Sequence, residues 1–141
     1  MMRWYQRHVT WQVRGVMVLG LALFGGCGSD DPGIPIPELA PVTGVVTLDG
    51  QPLEGATITF EPADLSLDRR ESRAVTDSNG KYELVYVDDV KGAVMGPLTV
   101  RINKMGENEQ SVVPGRYNSK SELQADVKAG SNTFDFPLKT K

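Results

Sequence analysis

Beyond Pro41 the apolar and polar residues alternate with period two, the signature of strands that have one dry and one wet face. Val42–Leu48 is followed by Asp49-Gly50, a dipeptide that tolerates positive φ and suits a tight hairpin turn. Ala56, Ile58 and Phe60 then share one face, with Thr57, Thr59 and Glu61 opposite. Segments 72–76 and 81–87 flank Asp77-Ser78-Asn79-Gly80, which predicts a hairpin with Gly80 in the left-handed region. Leu98, Val100 and Ile102 alternate with Thr99, Arg101 and Asn103. Leu123, Ala125 and Val127 form a sixth strand, and Phe134, Phe136 and Leu138 a seventh, predicted to close the domain as a hairpin about Gly130. After position 41 no stretch of ten residues has a helical period. The pattern predicts an all-β fold, a Greek-key β-sandwich of about seven strands whose two sheets bury their dry faces against each other.

The first quarter of the chain has a different composition. Arg3, Arg7, His8 and Arg14 precede the apolar run Val16-Met17-Val18-Leu19-Gly20-Leu21-Ala22-Leu23-Phe24. A basic segment followed by an apolar one, shorter than the roughly 20 residues that cross a bilayer, predicts a signal peptide. Gly25 and Gly26 stand directly before Cys27, the sole cysteine, so the segment resembles the lipobox of bacterial lipoproteins. That resemblance implies cleavage before Cys27 and acylation of its thiol, although Phe24 stands where an aliphatic residue is usual. Segment 28–41 holds four prolines among Gly, Ser and Asp and predicts an extended tether, with Ile34 and Ile36 as an alternative edge strand. The expected organisation is therefore 1–26 signal peptide, 27–41 lipidated cysteine and tether, and 42–141 sandwich, exported and held in the cell envelope.

Charge narrows the partners. Without Arg3, Arg7 and Arg14 the chain keeps 12 basic against 18 acidic residues, a net charge of −6. Nucleic acid is an unfavourable partner for such a surface, because its phosphates call for clustered Lys and Arg. No second cysteine is available for a disulfide, so burial must supply the stability.

From Val42 to Phe60 the sequence reads VTGVVTLDGQPLEGATITF, and from Thr76 to Tyr82 it reads TDSNGKY. These residues resemble the carboxypeptidase regulatory-like (transthyretin-like) domains, in which a Gly-x-Pro-Leu-x-Gly-Ala turn leads into a strand and Thr-Asp-x-x-Gly-x-Tyr follows. The segment from Pro114 to Tyr117 and on to Phe136 is similar to the closing half of small lipoproteins of planctomycete-type bacteria. The resemblance implies the sandwich fold and says almost nothing about chemistry, because this fold accompanies many unrelated activities.

The only histidine, His8, lies in the signal-like segment, so histidine-based triads and histidine-ligated zinc have no residues in the domain. The transthyretin-like hydrolases depend on histidines and a Tyr-Arg-Gly-Ser ending, and this chain ends Pro-Leu-Lys-Thr-Lys. The expectation is a non-enzymatic structural or protein-interaction module with no cofactor. A carbohydrate- or calcium-binding module of the same fold is the alternative. Asp77, Asn79, Asp88 and Asp89 are the calcium candidates, since hard cations take several oxygens from closely spaced turns, but only half of a calcium loop is present. Tyr86, Arg101 and Arg116 are the candidates for an exposed sugar- or peptide-binding surface. Tyr117 follows a Pro-Gly turn and is expected to plug one end of the sandwich as a tyrosine corner does. The polar tips at Glu107, Asn108, Glu109 and Gln110 and at 64–71 are further candidates, because loops at sandwich ends often carry binding.

Overall fold

The computed structural model describes residues 36–65 and 69–141, which form an all-β sandwich. In chain order the strands are β1 (Leu39–Ala40), β2 (Val42–Leu48), β3 (Gln51–Pro52), β4 (Thr57–Pro62), β5 (Ser72–Val75), β6 (Lys81–Glu83), β7 (Ala93–Val94) and β8 (Gly96–Asn103). A 3-10 turn at Gly115–Tyr117 precedes β9 (Gln124–Val127), β10 (Asn132–Thr133) and β11 (Phe136–Leu138).

One sheet is antiparallel, in the order β5-β4-β8-β9. Its register pairs Ile58 with Ile102, Phe60 with Val100, and Leu98 with Ala125, so the β-branched and aliphatic side chains stack on one face and are buried. The second sheet is built around β2. Strands β3 and β6 pair with it antiparallel, and β10 and β11 run parallel to it. Strands β1 and β7 make a short separate ladder. The chain passes between the two large sheets after β3, after β5, before β8 and after β9, the crossing connections of a Greek-key sandwich.

Aromatic rings join the layers. Phe60 of the four-stranded sheet lies 6.3 Å from Tyr82, 6.0 Å from Phe134 and 6.2 Å from Phe136, all carried by the other sheet, in tilted or edge-on arrangements favoured by the ring quadrupole. At Asp49 and Gly50 the backbone takes φ of 51° and 85°, and Leu48 pairs with Gln51 across them. This is the two-residue hairpin that the Asp-Gly pair predicts.

Three expectations change. The sixth and seventh strands are not a hairpin: β9 pairs with β8 in one sheet, while β10 and β11 pair with β2 in the other. Gly130, with φ of 89°, turns the chain between layers rather than back along one, and the Asn132 amide holds that turn by accepting from Lys128 N–H and donating to the Lys128 and Gly130 carbonyls. The 81–87 strand stops at Glu83, and beyond it Val85 makes single bridges to Arg73 and Lys91. The folded region also begins earlier than 42, since Leu39 and Ala40 pair with Val94 and Ala93 and Ala40 is buried. The signal-like segment, Cys27 and most of the tether lie outside the described residues, as do residues 66–68 of the polar tip.

Candidate functional site

Strand β2 lies beside an interrupted partner, and the interruption is filled by side chains. Between β10 and β11 the ladder breaks at Phe134 and Asp135, and the Asp135 carboxylate accepts the Val45 N–H at 2.9 Å. The Phe134 carbonyl turns toward Gly44 and accepts from the Tyr82 hydroxyl at 2.7 Å. Burial of that phenol raises its pKa above the ordinary tyrosine value. These groups are consumed by the fold.

The same holds for the acidic calcium candidate in the turn between β5 and β6. Asp77 Oδ1 accepts from the backbone N–H of Asn79 at 2.8 Å and of Lys81 at 2.9 Å, so its carboxylate caps the hairpin in the manner expected of an Asx turn. Asp88 and Asp89 sit elsewhere, at consecutive left-handed positions with φ of 46° and 65°, in a turn closed by Val90 N–H donating to the Val87 carbonyl. Among the described residues no three His, Cys, Asp or Glu side chains are grouped to hold a metal.

Of the surface candidates, Tyr86 is corrected. It is buried, and its hydroxyl accepts the Arg70 N–H at 3.0 Å. Strict alternation puts it in step with Tyr82 and Leu84 on the dry side, and a backbone donor satisfies its one polar atom. Arg116 packs its guanidinium over the Tyr117 ring, 4.9 Å from the centroid, and donates to the Lys139 carbonyl. The bond to Arg116 lowers the Tyr117 pKa, and the phenol oxygen also accepts from Lys139 N–H. Asp49 completes this corner by accepting from the Thr140 N–H at 3.0 Å and hydroxyl at 2.7 Å, so Arg116, Tyr117 and Asp49 hold the segment after β11.

Of the three, Arg101 lines a polar groove, while Tyr86 contributes to the wall of the cleft beside it. On the wet face of the four-stranded sheet, Arg73 and Arg101 flank Thr59 across the ladder. Arg101 Nε donates to Glu61 at 2.6 Å and a second guanidinium nitrogen donates to the Asn118 carbonyl at 2.7 Å. Arg73 pairs with Glu71. Thr57 and Asn103 continue the face, and the whole forms a groove of about 330 Å³. Glu71 and Arg73 are also shared with a larger cleft, about 630 Å³, that is lined further by Arg70, Val85, Tyr86, Val87, Asp88 and Asp89. Sequence reasoning placed Thr57, Thr59, Glu61, Arg101 and Asn103 on wet faces but did not join them, because the pairing of β4 with β5 and β8 has no local signal. Arg73 and Asn118 were missed altogether.

No protein-family model and no curated protein matches the chain. Among solved structures it is similar to a DUF3823 family protein from Parabacteroides merdae, at 13% identity and a TM-score of 0.43, over 74% of this chain and 47% of that one. It is also similar to a 9R-lipoxygenase from Cyanothece, at 19% identity and a TM-score of 0.37, over 75% of this chain and 17% of that one. The chain thus spans less than half the length of either, and neither likeness carries a functional argument.

Proposed function

We propose that the chain is an exported lipoprotein, tied to a membrane of the cell envelope through acylated Cys27, whose sandwich is a non-catalytic interaction module resembling the carboxypeptidase regulatory-like domains. The observation that carries the module reading is how the domain uses its polar side chains. Asp49, Asp77 and Asp135 accept backbone N–H groups, and Glu61, Glu71, Glu83 and Asp126 pair with cations. Carboxylates engaged in this way hold turns and strands and are poorly placed to act as free acids or bases. What stays open is a surface, and surfaces on rigid sheets suit recognition.

The anchor reading rests on the basic and apolar segments, the two glycines and the lone cysteine. Growth of expressing bacteria with radiolabelled palmitate tests it. The full chain is expected to take up label, and Cys27→Ala to take up none and to accumulate at the precursor size. Absence of label in the unmodified chain, or equal label in Cys27→Ala, refutes the anchor.

A further inference from the structure

The groove on the wet face of the four-stranded sheet has no apolar lining residue, and its charges cancel, with Arg73 and Arg101 set against Glu61 and Glu71. A polyanion gains little attraction from such a balanced surface. A peptide would need apolar pockets for alternate side chains or a free strand edge, and a sheet face offers no edge. The groups present are instead two-headed and planar, carboxylate and guanidinium, interleaved with the hydroxyls of Thr57 and Thr59. Neighbouring hydroxyls on a sugar ring each give one hydrogen bond and accept another, which this mixture of donors and acceptors matches.

Taking the non-catalytic module reading as its premise, we propose that this groove binds a neutral polysaccharide. Arg101 is the preorganised contact: Glu61 and the Asn118 carbonyl fix its guanidinium, so its remaining N–H donors meet a ligand with little further loss of side-chain freedom. Thr59, between the two arginines in the register, supplies the central hydroxyl. The volume of about 330 Å³ is at the small end of the range for ligand sites and fits one or two sugar units of a longer chain. No aromatic ring lines the groove to give a stacking platform, so the affinity expected is weak, with Kd on the order of 1 mM.

The test is affinity electrophoresis of the purified full chain in native gels containing xylan, laminarin or dextran, with alginate as the acidic comparison. At least one neutral polymer is expected to retard the protein, and alginate to have no effect. Thr59→Val, which keeps the branched strand residue and exchanges the hydroxyl for a methyl group, and Arg101→Ala are each expected to weaken retardation about tenfold while the circular dichroism spectrum stays unchanged. Migration unaffected by all three neutral polymers overturns the proposal, as does retardation by alginate alone or retardation untouched in Thr59→Val. Loss of palmitate labelling in the separate experiment would remove the anchor and leave this result standing.

Discussion

Gly44 is the position where the smallest substitution should cost most. A Cβ built there would overlap the Phe134 carbonyl oxygen and come within 2.7 Å of that carbonyl carbon and 2.9 Å of Tyr82 Cε1. Two of those three atoms are backbone, so no side-chain rotation relieves the contact. The Phe134 carbonyl accepts the Tyr82 hydroxyl, and the Phe134 N–H donates to Thr43, so moving the segment strains bonds on both sides of the β10 to β11 break. Forcing an extra carbon into a packed interior costs about 1–3 kcal/mol. Weakening one hydrogen bond adds about 1 kcal/mol. Replacing glycine by alanine returns roughly 0.4–1 kcal/mol through the unfolded chain.

The net expectation for Gly44→Ala is a loss of about 2–3 kcal/mol, a large part of the roughly 5–15 kcal/mol that holds a domain folded. At about 4–8 °C per kcal/mol for a domain near this size, the melting temperature should fall by about 10–20 °C. Gly115→Ala is the control, since a Cβ there meets only Ser119 Oγ, at 3.5 Å, and should change stability by less than about 1 kcal/mol. Urea unfolding followed by tryptophan-independent far-ultraviolet circular dichroism measures both. Equal midpoints for the two variants would show that the Phe134 segment is not wedged against β2, and the parallel pairing described above would be wrong.

Phe136→Asp places a charge among the rings of Phe60 and Tyr82, and the expected result is a chain without cooperative melting; a soluble domain with an unchanged transition refutes the strand register. Asp49 has a pKa held below its ordinary 3.8 by the Thr140 hydroxyl, then by the Thr140 N–H and the charges of Lys139 and Arg116. A depressed carboxylate gives stability that is present above its unfolded pKa and is lost as pH falls through the folded value, so the window lies below about pH 4. The melting temperature of Asp49→Asn is therefore expected to lie below that of the unmodified chain at pH 7, with the gap closing as pH is taken below 4. A gap that stays constant to pH 2 would mean that Thr140 is not held by the carboxylate.

Alternation reveals which face a residue occupies and not which strand lies beside it, and the molecule divides along that line. Ile58, Phe60, Val100, Ile102 and Phe136 are buried as period two requires, and the same rule, carried on from Tyr82 and Leu84, puts Tyr86 on the dry side. The Asp-Gly turn was legible because two consecutive positive φ values leave few residues to choose from. The parallel partner of β2 was not, since Asp135 and Asn132 complete its edges with side chains whose roles appear only once residues about 90 positions apart meet. The groove belongs to the illegible half: Arg73, Thr59 and Arg101 come from three strands and are neighbours only through register. Yet the period that hid their neighbours also protects them. A slip of one residue in β8 would carry Arg101 into the space of Val100 or Ile102, between the sheets, where an unpaired guanidinium costs far more than the groove could return. The aliphatic face thus fixes the position of the polar one, so any ligand specificity of that surface depends on the packing of Ile58, Val100 and Ile102 beneath it.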